Sequence, residues 1–315
     1  MGVIDSLSAG FRYLGWRLEL ILIPVLLDLL LWLGPRFSVA PLFASFAAAY
    51  GELAGAEGVT PDIAVMVDQL AASIRETGEG SNLLNGLASS ALLHVPSLPL
   101  APAQLGSQVF EIATAGEAVV WWLIFSLFGL LIGVLYLTLL ARRLPIGGMA
   151  GAGAPQVAAA VVRHWLQVCG FVVLVAVGLL LIYLPISFAV GMIMLFSPAF
   201  GSAVAALAGA VTLVVFFYLY FVTAALIMDN IPLLEAMGRS LRIVRENFWP
   251  TLGFILLSNL IALGIALLLV QLANLALWGA AVAIAINAYI GTGLSLALLV
   301  FYRSRLIKGV DLGQG

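Results

Sequence analysis

The chain has 315 residues, of which only 9% are charged, and its formal net charge is −2. Counted with glycine and without tyrosine, apolar residues make up about 70% of the chain, against about 45–50% in soluble domains. No soluble globule can bury that much apolar surface, so the composition indicates a polytopic membrane protein. The apolar stretches run for about 18 residues or more without alternation. This excludes an outer-membrane barrel and predicts an all-α membrane helix bundle.

Several kinds of functional site are excluded by composition alone. The single cysteine, Cys169, cannot build a disulfide framework or a cysteine-based metal site. The two histidines, His94 and His164, cannot supply the paired ligands of a multi-haem cytochrome. The few cations are dispersed, which argues against nucleic-acid binding. The glycine-rich stretch 147–155 lacks the Lys-Ser/Thr of a phosphate loop. We therefore expect no metal ion, cofactor, nucleotide or nucleic-acid partner.

Six apolar runs are long enough to cross about 30 Å of hydrocarbon, so about six transmembrane helices are predicted. They lie at 16–33, 118–141, 166–184, 203–228, 249–272 and 276–302. The chain divides accordingly into 1–33, 34–117, 118–141, 142–202, 203–228, 229–272 and 273–315. Apolar residues continue past Pro185 to residue 196. A straight helix from 166 to 196 would be about 46 Å long, which predicts a kink at Pro185 or a tail along the surface.

The positions of the cations predict the orientation. If the six helices alternate, eleven of the thirteen cations fall on one side and only Arg36 and Arg75 on the other. The eleven are Arg12, Arg17, Arg142, Arg143, Arg163, Arg239, Arg242, Arg245, Arg303, Arg305 and Lys308. By the positive-inside rule both termini are expected to be cytoplasmic, in a bacterial plasma membrane. Because the first run holds Asp28 and is bracketed by tryptophans, we expect it to be a span and not a cleaved signal peptide.

The largest segment between spans, 34–117, is then extracytoplasmic and reads as a small helical insertion. Its first helix carries the apolar stripe Leu42, Phe46, Tyr50 and Leu53. The second begins at the Thr60-Pro61 cap, carries the stripe Ile63, Val67, Leu70 and Ile74, and ends before Gly78. The apolar, proline-punctuated stretch 92–102 follows. It is too short and broken to span, so we expect it on the outer membrane face or on the helix bundle.

Amphipathic elbow helices are predicted before the first and fifth spans, with a weaker copy before the third. Apolar residues recur at the same spacing in Ile4, Leu7, Phe11 and Leu14 and in Leu234, Met237, Leu241 and Val244. Glu235 and Arg239 form an i, i+4 pair on the polar face of the later copy. We expect the elbows on the cytoplasmic surface, bound to anionic headgroups. The anchors are Arg12, Trp16, Arg163, Trp165, Arg239, Arg242, Arg245 and Trp249. Two explanations of this recurrence stay open. The chain either contains three repeated units, each an elbow helix followed by two spans, or carries only the cations and tryptophans that any span has at its boundary.

One stretch carries a family resemblance: DNIPLLEAMGRSLRIVRENFWPTLGFILLSNLI, residues 229–261. It resembles the elbow-and-span signature of uncharacterised bacterial six-helix membrane families. These are related to the membrane domain fused to some glycerophosphodiester phosphodiesterases. The resemblance implies a shared architecture. The catalytic domain of that enzyme family, with its acidic and histidine metal ligands, has no counterpart in this sequence, so no activity is implied.

Three polar residues in the apolar runs are candidates for an intramembrane site: Asp28, Asn259 and Asn287. Asp28 is the one ionisable residue clearly inside a span, about 18 Å from Trp16 and about 6 Å from Trp32 along a helix. Such a carboxylate either binds a proton or substrate or forms a structural hydrogen bond. The two amides either line a polar path or join helices. Gly129, Gly133, Gly279, Ala283 and Gly291 allow close helix packing.

Three functions compete. A non-enzymatic structural, assembly or accessory subunit, contacting other membrane proteins, lipids or a second copy, follows from the charge-poor spans and the missing catalytic groups. A permease-like or lipid-handling protein requires polar residues from different helices to converge on one cavity, with Asp28, Asn259 and Asn287 the first candidates. A lipid-modifying enzyme requires a carboxylate or histidine pair within bonding reach, and the sequence shows no obvious pair.

Overall fold

The computed structural model describes residues 2–15, 17–54, 61–90, 93–98, 100, 108–144 and 154–312. The chain is an all-α membrane helix bundle, as predicted. Its helices are α1 Val3–Leu14, α2 Leu22–Leu33, α3 Ala40–Ala54, α4 Pro61–Gly80, α5 Ala115–Arg143, α6 Ala154–Phe196, α7 Pro198–Leu219, α8 Val222–Asp229, α9 Leu233–Glu246, α10 Phe248–Ala273 and α11 Leu277–Leu312. Short strands lie at β1 Arg36–Ser38, β2 Ser89–Ser90, β3 Leu93–His94 and β4 Val109–Glu111, and 3₁₀ helices at Leu18–Leu20 and Leu83–Leu87.

Within the described residues, five helical segments are long and apolar enough to cross a membrane. They are Ala115–Arg143, Pro155–Met194, Pro198–Asp229, Phe248–Ala273 and Leu277–Ile307. Apart from residue 276, these segments contain the second to sixth predicted spans, which are therefore confirmed as long apolar helical segments. Pro198–Asp229 joins α7 to the short helix α8 through a turn.

The first predicted span, 16–33, is not one continuous helix, and this corrects the prediction. A 3₁₀ turn at Leu18–Leu20 precedes α2, whose 12 residues reach only about 18 Å. The segment nevertheless runs along α5: Glu19 lines a small cavity with Arg143 at one end of α5, and Phe37 packs on Trp121 near the other. A short helix flanked by irregular backbone thus takes the place of a regular span.

The elbow predicted before the third span is also not a separate element. Helix α6 runs without interruption from Ala154 to Phe196, through Pro185. Its first part is buried at Val157, Val161 and Val168, so this part packs into the bundle instead of forming a hinged surface helix. The predicted tail after Pro185 belongs to the same helix.

The other two elbows are separate helices that pack against the bundle. Gly10 of α1 lies against the backbone of Gly293 and Ala297 in α11, so close that an added Cβ would be 2.5 Å from backbone atoms. Helix α9 crosses the junction between α7 and α8. There the Ser240 hydroxyl donates to the Tyr218 carbonyl at 2.7 Å and accepts from the Phe221 N–H at 3.1 Å.

The predicted helical insertion is a hairpin of α3 and α4. Its buried stripe differs from the predicted one, because the hairpin closes on small residues: Ala47 is fully buried and Ala71 is 3% exposed. Of the predicted stripe, Leu42 is buried, whereas Phe46 and Tyr50 are 48% and 43% exposed. The hairpin is tied to the start of α5 by the parallel pairing of β1 with β4.

Candidate functional site

A segment with no α-helix enters the middle of the bundle, and we call its described residues, 82–90 and 93–98, the inserted segment. Asn82 fixes its start, because the Asn82 Oδ1 accepts the backbone N–H groups of Phe37 and Leu84. Further along, the segment meets two helical glycines. A Cβ on Gly129 would lie 2.5 Å from the Gly86 carbonyl oxygen, and a Cβ on Gly291 would lie 2.2 Å from Pro96. The two glycines therefore make room for the inserted segment.

The position of these glycines sets the depth of the inserted segment. Gly129 and Gly291 are each the fifteenth residue of a candidate span, Ala115–Arg143 and Leu277–Ile307. The segment accordingly lies against the midpoints of both spans, and its Val95 and Leu98 are 2% and 4% exposed. Irregular backbone is tolerated at membrane depth only where protein or a polar cavity surrounds it. The apolar stretch 92–102 was expected either on the outer membrane face or on the helix bundle. Its described residues 93–98 lie in the helix bundle.

Asp28 fixes the end of this segment. Both carboxylate oxygens accept the backbone N–H of Leu98, at 3.2 and 3.1 Å. The side-chain amide of Asn287, in α11, interacts with the same carboxyl group. The buried Nδ2 of Asn287 nevertheless has no hydrogen-bond acceptor in good geometry. Asp28 itself is 2% exposed. Thus α2, α11 and the inserted segment meet at one buried carboxyl group.

A cavity of about 80 Å³ opens beside Asp28. Its polar wall consists of Asp28, Asn85 and Ser97, and its remaining lining includes Trp32 and Leu98. By a measure in which about 10–15 Å³ holds one water, the cavity has room for several waters. A carboxylate, an amide and a hydroxyl around such a space can bind water or a small ion.

Two of the three predicted site residues are therefore brought together and the third is not. Asn259 lies on an exposed face of α10, where its Nδ2 donates to the Ile255 carbonyl of its own helix at 2.9 Å. The other polar groups at the Asp28 cavity come instead from Asn85 and Ser97. Both belong to a segment that sequence patterns placed outside the spans.

A second polar cluster joins α8, α9 and α11 at Asp229, the last residue of α8. Its carboxylate accepts from Arg239 at 2.7 Å, from Arg303 at 2.8 Å and from the Tyr302 hydroxyl. Arg239 also pairs with Glu235 at 2.9 Å, which confirms the predicted i, i+4 pair. Burial lowers the pKa of the Arg239 guanidinium, but hydrogen bonding to Asp229 and its negative charge raise this pKa by more, so the net shift is upward.

The next residue, Asn230, extends this cluster to α6. Its backbone is left-handed, with φ 55°, a conformation that asparagine tolerates better than most residues. Its Oδ1 accepts from Arg163 and lies 3.1 Å from the His164 Nε2. His164 lies between the predicted anchors Arg163 and Trp165, but it is fully buried and packs between helices.

The predicted interface anchors fall into several environments. Arg12, Arg242 and Arg245 are exposed, and Trp249 is 76% exposed. Trp165 instead donates its indole N–H to the Leu127 carbonyl of α5 at 3.1 Å. Arg163 and Arg239 are exposed or half-buried and bind Asn230 and Asp229 as described. Trp16 and residues 147–153 of the glycine-rich stretch 147–155 lie outside the described residues.

The structural role of Asp229 and Asn230 was not predicted from the sequence, although both open the stretch 229–261. A signal was available, because an Asp-Asn pair directly after an apolar run and before Pro232 is typical of a capped helix end. Their partners Arg163 and Arg303 lie more than 60 residues away in sequence, so no local pattern could identify them.

No protein-family model matches this chain, and neither the curated proteins nor the solved structures contain a match. The resemblance of residues 229–261 to membrane domains related to glycerophosphodiester phosphodiesterases therefore stays a prediction.

Proposed function

We propose that this multi-pass membrane protein is a non-enzymatic structural, assembly or accessory subunit, and that it works by lateral association with a second copy or another membrane protein. The observation that carries this proposal is the exposure of the α6–α7 hairpin. Only 6% of the most apolar 18-residue window in Pro155–Met194 is buried, against 50% in Ala115–Arg143. A span with so few internal contacts gains little packing within its own chain.

The surface of α7 supports the same proposal. Ser202, Ala206 and Ala210 are all exposed and follow one another at intervals of four residues. Such small residues on one helix face let a partner backbone approach closely, which drives helix association in lipid. Beside them, α6 and α7 enclose an apolar groove of about 670 Å³. The groove can accept bulky apolar side chains of a partner or a lipid chain.

Site-directed crosslinking in native membranes tests this proposal. In a Cys169→Ser background, Ala206→Cys is expected to give a disulfide-linked dimer or an adduct with a partner on mild oxidation. Ala262→Cys, an equally exposed alanine on α10, is the matched control. Equal and negligible crosslinking at both positions, together with a monomer that purifies alone in mild detergent, would contradict lateral association.

A permease-like or lipid-handling role is the second candidate, and it rests on the Asp28 cavity. Transport proteins use interrupted helices and irregular backbone around a site near the middle of the membrane. Here an interrupted first span, the inserted segment and a buried carboxyl group meet at one polar cavity.

Accessibility of the cavity distinguishes this candidate. Ser97→Cys, again in a Cys169→Ser background, is expected to react with a membrane-impermeant thiol reagent from one side if the cavity communicates with water. Ser258→Cys, at a buried position on α10, is the unreactive control. A Ser97→Cys protein that is folded but as unreactive as the control would rule out this permease reading.

A further inference from the structure

We propose that the cavity beside Asp28 is a binding site for a single small monovalent cation such as sodium. The first observation is the charge of the site. Asp28 is 2% exposed, yet it forms no salt bridge with a described side chain. An isolated carboxylate at this depth carries a large desolvation cost, so a bound positive charge would stabilise it.

The second observation is the chemistry of the cavity wall. Asp28, Asn85 and Ser97 offer a carboxylate, an amide and a hydroxyl, all of them oxygen donors. Hard cations prefer such oxygen ligands. Among the described lining residues Asp28 is the only ionisable one, so its one negative charge balances one monovalent ion.

The third observation concerns the polar groups that the protein leaves unsatisfied. Beside the carboxyl, the buried Nδ2 of Asn287 has no hydrogen-bond partner in good geometry. Buried polar atoms are nearly always paired, with water when protein groups do not suffice. The Asn287 amide nitrogen is a donor and cannot ligate a cation, but it can donate to a water molecule that accompanies the bound ion.

The size of the cavity selects the kind of ligand. Its volume of about 80 Å³ holds an ion with a few waters. Organic ligands occupy pockets of about 300–1,000 Å³, so this cavity is too small for one. The ion is held between α2 and the inserted segment and would stabilise their packing, whether or not the protein associates laterally or transports anything.

The experiment compares thermal unfolding of the full-length protein in nanodiscs in sodium chloride and in choline chloride at equal ionic strength. For the wild-type protein we expect sodium to raise the apparent midpoint by about 3 °C, because a ligand of the folded state alone stabilises it. Asp28→Asn is expected to abolish the sodium effect. Asp68→Asn, which removes an exposed carboxylate from α4, is the matched control and should retain it.

Two further measurements keep the test decisive if Asp28→Asn does not fold. Ser97→Ala and Asn85→Ala keep the carboxyl group but remove a ligand, and are expected to reduce the sodium effect. Binding of radioactive sodium to the wild-type protein should saturate at one ion per chain. Equal midpoints in the two salts, no saturable sodium, or an undiminished effect in Asp28→Asn would each overturn the proposal. A midpoint that responds to acid but not to sodium would show that Asp28 binds only a proton.

Discussion

The carboxylate of Asp229 lies 2.7 Å from the guanidinium of Arg239, ten residues further along the chain, and this pair fastens α9 to the end of α8. Arg303 of α11 approaches the same carboxylate at 2.8 Å. The side chain of Asp229 is only 6% exposed, whereas the two arginines are about one-third exposed. One acidic residue thus fixes an amphipathic helix and the last span in place.

Asp229→Asn should therefore destabilise the protein strongly, because two partly buried guanidinium groups lose their counter-charge. We expect a loss of about 2–3 kcal/mol, since removing one partner of a buried ion pair costs about 3–5 kcal/mol and the arginines here are partly hydrated. The measurement is the free energy of unfolding in mixed detergent micelles. Glu235→Gln, which affects only the exposed end of the network, should cost less than about 0.5 kcal/mol. Equal losses in the two variants would contradict this assignment.

Gly129→Ala tests the close approach of the inserted segment to α5. The new Cβ would lie 2.5 Å from the Gly86 carbonyl oxygen and 2.8 Å from that of Leu87, so the backbone must move. Overpacking of this kind costs about 1–3 kcal/mol. At Gly264 of α10 an added Cβ meets nothing within 4 Å, so Gly264→Ala should be neutral or slightly stabilising. Unfolding midpoints of the two variants compare the sites directly, and a harmless Gly129→Ala would mean that the segment does not lie where we place it.

Ser240→Ala tests the junction between α7 and α8. Its hydroxyl both accepts the Phe221 N–H and donates to the Tyr218 carbonyl, so the variant leaves buried backbone groups unpaired. The expected loss is about 1–3 kcal/mol. Ser187→Ala is the control, because the exposed Ser187 hydroxyl bonds only the Leu184 carbonyl of its own helix. Faster backbone hydrogen exchange at the junction in Ser240→Ala, but not in the control, would show that the loss of stability arises at the α7–α8 junction.

Cysteine labelling in intact cells tests the predicted orientation. In a Cys169→Ser background, Asp68→Cys on α4 should react with an impermeant maleimide from outside. Arg242→Cys on α9 should react only after the membrane is permeabilised, because the positive-inside rule places that helix in the cytoplasm. Both positions are exposed, so access to the reagent is the one difference between them. The reverse pattern would invert the topology and both predicted terminus locations.

The long apolar spans could be predicted from sequence because their signal is local: about 20 successive apolar residues suffice. The first span illustrates the limit. The run 16–33 has the right composition, but its backbone breaks at a 3₁₀ turn, and the inserted segment packs beside its helix. Hydropathy reports only that a segment is apolar, and therefore cannot distinguish a straight span from a short helix in an irregular surrounding.

The candidate site shows the same contrast between local sequence signals and long-range packing. Residue type and local spacing are enough to identify a multi-pass helical membrane protein and to mark Asp28 as an ionisable residue in an apolar run. The meeting of Asp28 with Asn287 and Leu98, the separate position of Asn259 and the joining of three helices at Asp229 depend on long-range packing. Leu98 lies 70 residues from Asp28, and packing over such distances leaves no periodic trace in a single sequence.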